Sequence, residues 1–310
     1  MRRELINKII SKPIINLVLL IVTFFTTTLM GLIQWSYSFF VYKGTISLTF
    51  FESPDTGFFN HYYNLLAQNS FMVTESLKYS GALLIFLLAH ELGHYLACRY
   101  YGVQATLPFL IPIPAGFGTL GAIIKIRAPI PNKKVLFDIG IAGPLAGFAA
   151  LLPALYYGMS KSIYVARVPM DSLYFGEPIL WKFMEKLLYP DLGGNLELAV
   201  HPVTFAAWFG LLATSLNLMP LGQLDGGHIA YALFGRKAFI MYKIFFVFIL
   251  LLFFAWPYWL VWVIVGWFIG LKHPPVMDET EPVGRGRIIL AIIAALILIV
   301  SFIVIPVEFK

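Results

Sequence analysis

Seven long apolar stretches constrain the fold of this chain more than any other feature of its sequence. A helix needs about 20 mostly apolar residues to cross the hydrocarbon core of a bilayer. The stretches lie roughly at residues 13–35, 79–98, 136–158, 205–221, 239–256, 257–271 and 288–306. Charged residues make up only 12% of the chain, which is about half of their share in soluble domains. The sequence therefore predicts an all-α polytopic membrane protein with about six to seven transmembrane helices.

The distribution of Lys and Arg predicts how the chain is oriented. With a cytosolic N-terminus, the cytosolic segments hold 14 of these residues in 82 positions, and the outer segments hold 7 in 93. Cytosolic loops of membrane proteins are enriched in Lys and Arg. We therefore expect an integral, multi-pass protein of the cell (plasma) membrane with its N-terminus in the cytosol. The net charge of +6 fits contact with anionic lipid, so no nucleic-acid binding is expected.

A motif typical of metal sites lies in the second apolar stretch, where the sequence reads His90-Glu91-Leu92-Gly93-His94. Residues four apart share one helix face, so the two imidazoles can bind one cation. Glu91 is offset around the helix and can act as a general base toward a water molecule at the metal. Burying three ionisable groups in a bilayer is costly. We therefore favour a metal site over a polar cluster that only joins helices.

A third ligand has to come from elsewhere in the chain. Cys98 is the only cysteine, which excludes a cysteine cluster. The candidates are Asp138, His201, Asp225 and His228. Asp138 begins the third predicted helix, where N-capping is the simpler role. The expected depth of His94, near the cytosolic end of its helix, matches Asp225 and opposes His201. Two His with one carboxylate form an ordinary catalytic zinc set with an open fourth position.

Three motifs together resemble the site-2 protease family of intramembrane zinc metalloproteases. They are HELGH at residues 90–94, GIAGPLAGF at residues 140–148 and NLMPLGQLDGG at residues 217–227. The resemblance implies one Zn²⁺ per chain, with ligands His90, His94 and Asp225. It also implies that Glu91 is the general base and that Asn217 binds the scissile carbonyl or its oxyanion.

Two parts of these motifs have simpler structural explanations. The side chain of Asn217 could form an interhelical hydrogen bond instead of contacting substrate. Gly140, Gly143 and Gly147 are expected to allow close helix packing rather than to take part in catalysis.

The segment 104–128 is expected to bind substrate. Three prolines within Pro108–Pro114 exclude a regular helix, and the following residues resemble a strand or one arm of a hairpin. A transmembrane substrate must unwind before it can be cut, and an exposed strand edge could hold it by strand addition. We predict that this edge includes Gly118, Thr119, Leu120, Gly121 and Ala122. The alternative is a re-entrant loop that only seals the site.

The predicted function is that of a zinc metalloendopeptidase, a hydrolase that cuts membrane-protein substrates in or near their transmembrane segments. We expect an N-terminal anchor helix and outer loop in residues 1–78, the catalytic core in 79–235 and C-terminal transmembrane helices in 236–310. The main alternative is a metal transporter or channel that uses the same ligands, because intramembrane His and acidic residues also mark ion paths. A transporter would have no need for Glu91, a carboxylate beside the metal that is not a ligand.

Overall fold

The computed structural model describes residues 13–42, 70–166, 173–190, 196–269 and 273–309. Residues 1–12 and parts of both predicted outer loops lie outside the described residues. The helices are α1 (Pro13–Tyr42), α2 (Phe71–Tyr100), α3 (Lys133–Lys161), α4 (Ile179–Leu188), α5 (Pro202–Leu218), α6 (Asp225–Phe234), α7 (Ala238–Leu252), α8 (Trp259–Ile269) and α9 (Arg285–Ser301).

Within the described ranges, the strands form three small antiparallel pairs. They are β1 (Phe109–Pro112), β2 (Thr119–Ile123), β3 (Ile163–Ala166), β4 (Leu173–Phe175), β5 (Leu196–Ala199) and β6 (Val307–Phe309). β1 pairs with β2, β3 with β5, and β4 with β6. The β1–β2 hairpin lies in the proline-containing segment where the sequence predicted a strand or hairpin.

Among the described residues, three helices are long and apolar enough to cross a membrane, namely the Pro13–Ile33 part of α1, α2 and α3. The other predicted spans correspond to α5, α7, α8 and α9, which have 17, 15, 11 and 17 residues. A helix rises 1.5 Å per residue, so 17 residues cover only about 26 Å of a core about 30 Å thick. The fold is therefore that of a mostly helical membrane protein, and the count of six to seven spans stays a prediction.

The outer faces of several helices are apolar and exposed, as expected for contact with lipid. On α1 and α9 these exposed side chains are Ile14, Leu17, Val18, Ile21, Phe25, Ile289, Ile292, Leu296 and Ile299. Soluble proteins rarely expose contiguous apolar surface of this kind. These exposed apolar faces support the assignment of the chain as an integral membrane protein.

Helices α2, α3 and α5 form the centre of the fold, and small residues allow them to approach closely. A Cβ atom at Gly158 of α3 would overlap the backbone of Thr204 on α5. A Cβ atom at Gly93 of α2 would overlap the carbonyl of Ala142 on α3. Large side chains fill the remaining space between the helices, including Leu83, Leu87, Leu151, Leu155, Trp208 and Leu211. This packing fixes the position of the HELGH motif relative to α3.

The β1–β2 hairpin lies beside α1 and α2. The side chain of Asn16 on α1 donates to the carbonyl of Pro108 at 2.6 Å, and Thr26 donates to the carbonyl of Gly118 at 2.7 Å. β1 contacts α1, whereas β2 contacts both α1 and α2. The hairpin is therefore anchored to α1, with β2 next to the helix that carries HELGH.

The start of α3 differs from the expectation that Asp138 is an N-cap. Asn132 is the N-cap, and its side-chain oxygen accepts from the backbone N–H of Val135 at 3.0 Å. Asp138 lies inside the helix and accepts two hydrogen bonds from Arg287 of α9, at 2.8 and 2.6 Å. Tyr101 also donates to this carboxylate, and this bond raises the pKa of Tyr101. Asp138 thus joins α3 to α9.

Candidate metal centre

His90 and His94 lie one helical turn apart on α2, and both are buried. Their side chains face α3, and only 4% and 6% of their surfaces are exposed. The two Nε2 atoms are 3.2 Å apart. The spacing of four residues therefore brings two imidazole nitrogens to one point inside the protein, as the sequence predicted.

Asp225 reaches the same point from the start of α6. Pro220 follows the end of α5 and has no backbone N–H to continue that helix. A short turn then reverses the chain, and a Cβ atom at Gly226 would overlap the carbonyl of Leu218. A Cβ atom at Gly227 would likewise overlap the backbone carbonyl of Gly222 in the turn. These two glycines let the first turn of α6 pack against the end of α5, and this places the Asp225 carboxylate opposite the two imidazoles.

The three side chains form a compact set of metal ligands. One carboxylate oxygen of Asp225 lies 3.2 Å from His90 Nε2, and the other lies 3.2 Å from His94 Nε2. Zn–N and Zn–O bonds of 2.0–2.1 Å in tetrahedral geometry separate ligand atoms by about 3.3 Å. The donor atoms are thus spaced as a zinc ion requires, and the set leaves a fourth position open. A search of the described residues for clustered His, Cys, Asp and Glu side chains that could hold a metal ion gives this set of His90, His94 and Asp225.

The second ring nitrogen of His94 fixes the orientation of its imidazole. Nδ1 of His94 lies 2.7 Å from the carbonyl oxygen of Ile139 on α3. A carbonyl only accepts hydrogen bonds, so Nδ1 carries the proton and Nε2 is left to bind a metal. The His94 ring also fills the space where Gly143 lacks a side chain. α3 therefore both orients His94 and leaves room for it.

His90 is held by packing rather than by a second hydrogen bond. Its Nδ1 is buried, and it has no hydrogen-bond partner among the described residues. The ring packs near Gly147 of α3 and the aromatic ring of Phe86. The two imidazoles are therefore oriented by different means, although both face the same helix.

Glu91 lies beside the three ligands without belonging to them. Its side chain is buried, with 7% of the residue exposed. The carboxylate is within hydrogen-bonding reach of the backbone N–H of Ile124, which directly follows β2. A carboxylate that is close to a metal site but not a ligand can accept a proton from water. The hairpin that was predicted to bind substrate thus passes directly beside the predicted general base.

The other candidate residues lie in different places. Asn217 is half-buried near the C-terminal end of α5, close in sequence to the turn before Asp225. His201 is the N-cap of α5, where its Nε2 contacts Glu75 at 2.7 Å. His228 lies in α6, and its Nδ1 is 2.6 Å from Nε2 of His273. Neither His belongs to the group that could hold a metal ion.

Sequence reasoning did not identify three groups that surround the site. They are the Ile139 carbonyl, the backbone N–H of Ile124 and the open space at Gly143. Backbone groups have no sequence signature, so only the fold could reveal the first two. The glycine was noticed, but its proximity to His94 depends on how α2 crosses α3.

Comparison with known proteins agrees with these motifs. Peptidase family M50 matches residues 78–254, which contain all four residues of the site and Asn217. A rice protein (Oryza sativa subsp. japonica) named "Probable zinc metalloprotease EGY1, chloroplastic" is 35% identical over 172 residues, covering 54% of this chain and 29% of the relative. An Arabidopsis thaliana protein named "Probable zinc metalloprotease EGY2, chloroplastic" is 36% identical over 164 residues, covering 51% and 29%.

A third relative aligns over more of the chain. The Arabidopsis thaliana protein named "Probable zinc metallopeptidase EGY3, chloroplastic" is 29% identical over 283 residues, which cover 82% of this chain and 46% of the relative. The chain spans less than half of the length of each of these three relatives. The family match covers more than half of the chain and includes all three motifs. The chain therefore belongs to Peptidase family M50, the site-2 protease family that its sequence resembles.

Proposed function

We propose that this protein is a zinc-dependent intramembrane endopeptidase, which hydrolyses peptide bonds in or near transmembrane segments of membrane-protein substrates. One observation carries the proposal. The buried Glu91 carboxylate lies beside the His90, His94 and Asp225 set and also next to β2. Metal ligands, a proton acceptor and a strand that can bind a polypeptide are the parts that peptide hydrolysis requires.

The proposed chemistry assigns one role to each residue. His90, His94 and Asp225 would hold one zinc ion, which when bound supplies a Lewis acid that lowers the pKa of water to about 7. Glu91 accepts a proton from the attacking water and later gives it to the leaving amine. The Asn217 amide donates a hydrogen bond to the oxyanion that develops on the scissile carbonyl.

The substrate would bind to the open edge of the β2 segment. In an antiparallel pair, alternate residues direct their backbone groups toward the partner strand. The backbone carbonyl of Lys125 accepts from Thr106 at 3.0 Å, and the backbone N–H of Arg127 donates to Gln104 at 2.7 Å. By this alternation the backbone groups of Ile124, which precedes Lys125, face away from the paired segment. The backbone N–H that faces away is the one beside Glu91. An added substrate strand would therefore lie next to the proposed base.

The predicted substrate-binding residues have two roles in this proposal. Leu120, Gly121 and Ala122 belong to the edge that extends toward Ile124. Gly118 and Thr119 lie at the other end of the strand, where the Gly118 carbonyl accepts from Thr26 of α1 and the Thr119 hydroxyl donates to the Ile111 carbonyl at 2.9 Å. These two residues would fix the position of the edge.

We propose that residues 79–235 form the catalytic core, that residues 1–78 form an anchor and outer loop and that residues 236–310 add transmembrane helices. We also propose that the N-terminus is cytosolic and that the active site opens toward the cytosolic side. The excess of Lys and Arg in the corresponding segments supports this orientation. The plasma-membrane location stays a prediction from the sequence, whereas the relatives are named chloroplastic.

The decisive experiment for the proposed activity uses Glu91→Gln. This change preserves size and hydrogen bonding but removes the proton acceptor, so cleavage of a reconstituted transmembrane substrate should fall by about 10²- to 10⁴-fold. Zinc content should stay normal, because the three ligands remain. Glu281→Gln, at an exposed carboxylate that pairs with Lys134 at 3.0 Å, serves as the control and should cleave normally.

Zinc flux into liposomes, measured beside proteolysis, separates an enzyme from a transporter. Normal flux without proteolysis by the unaltered protein would defeat the protease proposal. Proteolysis that survives unchanged in Glu91→Gln would keep the protease but remove Glu91 as its base.

Metal analysis tests the ligand set independently of activity. The unaltered protein should contain about one zinc per chain, and Ala at His90, His94 or Asp225 should abolish binding because three ligands are needed. His201→Ala is the matched control, because His201 lies at the opposite end of α5 from the turn that leads to Asp225. Full zinc occupancy in Asp225→Ala would show that the third ligand is another residue.

A further inference from the structure

We infer that Thr214 of α5 is a positioning residue for the metal ligand His90. Its hydroxyl accepts the hydrogen bond of His90 Nδ1 through one buried water molecule, and this link orients the imidazole toward the metal. The inference rests on the ligand set of the proposed function. It adds a residue from a helix that contributes none of the three ligands.

Two buried polar atoms, one on α2 and one on α5, have no hydrogen-bond partner among the described residues. They are Nδ1 of His90 and the hydroxyl oxygen of Thr214. Thr214 is fully buried, and His90 is 4% exposed. Native proteins satisfy nearly all buried polar groups, either with protein atoms or with ordered water. If the two atoms face the same space, one partner can satisfy both.

The hydroxyl of Thr214 differs from other hydroxyls in the helices of this protein. Thr23, Thr27 and Ser76 each donate to the carbonyl four residues earlier, at 2.7 Å. Ser215, next to Thr214, also donates within its own helix, at 2.8 Å. Thr214 makes no such bond to a described residue. Its hydroxyl is therefore available to a group on another helix.

The packing of α5 against α3 places Thr214 opposite Gly147. Gly158 of α3 packs against the beginning of α5, whereas Leu151, earlier in α3, packs against Gly210, further along α5. The two helices are therefore antiparallel. One turn beyond this contact, four residues forward on α5 and four residues back on α3, come Thr214 and Gly147.

The packing of α2 leads to the same place. A Cβ atom at Gly147 would lie 3.2 Å from Nδ1 of His90 and 3.2 Å from the ring of Phe86. That ring also lies 3.3 Å from a Cβ atom at Gly210. α2 is antiparallel to α3, as the positions of its two His ligands beside α3 show, so α2 and α5 run in the same direction. His90 follows Phe86 by one turn, and Thr214 follows Gly210 by one turn, so both border the space at Gly147.

A water molecule would complete the hydrogen bonding of both atoms. Nε2 of His90 faces Asp225, so Nδ1 carries the proton of the neutral ring when a metal is bound. A metal-bound His usually donates this N–H to a carboxylate, a carbonyl or a water molecule. The hydroxyl of Thr214 is beyond direct hydrogen-bonding distance, since neither atom has a direct partner. A bridging water can accept from Nδ1 and donate to the hydroxyl oxygen.

This link would do for His90 what the carbonyl of Ile139 does for His94. The hydrogen bond keeps the proton on Nδ1, leaves Nε2 free for the metal and limits rotation of the ring. Loss of such a partner typically weakens metal binding by about 10- to 100-fold. Packing against α3 still holds the His90 ring, so we expect a loss at the lower end of this range.

The test compares the zinc affinity of Thr214 variants purified in detergent. Thr214→Val keeps the shape of the side chain but removes the hydroxyl, so the affinity should fall about tenfold. Thr214→Ser restores the hydroxyl and should recover most of the affinity. Co²⁺ bound in place of zinc gives a spectroscopic readout of the ligand geometry. Its visible absorption should change in Thr214→Val and stay normal in Thr214→Ser.

Ser301→Ala is the matched control. Ser301 of α9 is also fully buried, and its hydroxyl also has no partner among the described residues. It lies about 21 Å along α9 from Arg287, whose partner Asp138 adjoins Ile139 beside the metal site. This variant should therefore bind zinc normally. Melting temperatures of the metal-free proteins reveal any general damage to the fold.

Three results would overturn the inference. The first is unchanged zinc affinity in Thr214→Val. The second is an equal loss in Thr214→Ser, because the hydroxyl would then be irrelevant. The third is a loss of affinity in Thr214→Val together with a lower melting temperature of its metal-free form, which would assign Thr214 to packing.

These measurements do not depend on proteolysis, so the inference and the proposed function can fail separately. If the unaltered protein binds zinc but cleaves no transmembrane substrate, and Thr214→Val loses affinity, the positioning role stands and the protease is rejected. If the unaltered protein cleaves substrate and Thr214→Val binds zinc normally, the protease stands and the positioning role is rejected.

Discussion

Gly143 on α3 leaves the space that the imidazole of His94 occupies. A Cβ atom at this position would overlap the ring of the ligand. The ring cannot rotate away without breaking the contact between its Nδ1 and the carbonyl of Ile139, which comes from the same helix. One turn of α3 therefore holds His94 by a hydrogen bond on one side and by the lack of a side chain on the other.

The first prediction is that Gly143→Ala strongly reduces zinc binding. The added methyl group must displace His94 or push α3 away, and disturbing the support of a metal ligand typically weakens binding by about 10- to 100-fold. Zinc content and zinc affinity of the purified protein measure the effect. Gly81→Ala on α2 is the control, because a Cβ atom there meets nothing within 4 Å. Equal zinc affinity in both variants would show that the site tolerates the methyl group.

Gly143 also shows where sequence reasoning reaches its limit. HELGH predicted the shared face of His90 and His94 because helical periodicity is local. The role of Gly143 was assigned to packing alone, since its contact with His94 depends on how two helices cross. Asp138 was expected to cap α3, but Asn132 takes that position and Asp138 pairs with the distant Arg287. Local patterns were therefore predictable, whereas partners far apart in the sequence were not.

The second prediction concerns the open edge of the β2 segment. Pro at Ile124 removes the backbone N–H that faces away from the paired segment and reaches Glu91, so cleavage of a helical transmembrane substrate should fall about tenfold or more. Zinc content should stay normal. Ile123→Pro is the comparison, because this residue pairs with Phe109 of β1 and its loss should destabilise the hairpin itself. Unchanged turnover in Ile124→Pro would reject strand addition at this segment.

The third prediction concerns the link between α3 and α9. Arg287 binds Asp138 through two hydrogen bonds, and both side chains are less than one-third exposed. Arg287→Gln should lower the free energy of unfolding by about 1 kcal/mol, after allowance for partial exposure to solvent. A double-mutant cycle with Asp138→Asn, in which thermal unfolding in detergent is the readout, measures the coupling energy between the two side chains. Strictly additive effects of the two changes would mean that the pair contributes nothing to stability.

The fourth prediction concerns pH and His201. Burial lowers the pKa of His201 below its usual 6.5, against the opposing effect of Glu75. Its neutral Nδ1 accepts from the N–H of Val203 at 3.2 Å and caps α5. The unfolded chain binds this proton more readily, so stability should fall as the pH drops through 6.5 toward the lowered pKa.

A comparison with His201→Asn isolates this effect from the other histidines. Asn can cap the helix but does not titrate. On acidification, the melting temperature of the variant should therefore fall by about 2 °C less than that of the unaltered protein. Both proteins are melted at several pH values between 5 and 8. Parallel profiles would assign the acid sensitivity to other groups.

The distance along the chain between His94 and Asp225 also has a consequence for biogenesis. Both imidazoles are present as soon as α2 has been made, but the carboxylate follows only after α3, α5 and the turn before α6. A ribosome must therefore translate the whole central part of the protein before a complete set of ligands exists. Under the proposed function, a chain that stops before α6 would lack the third ligand, so the truncated product could not cleave neighbouring membrane proteins.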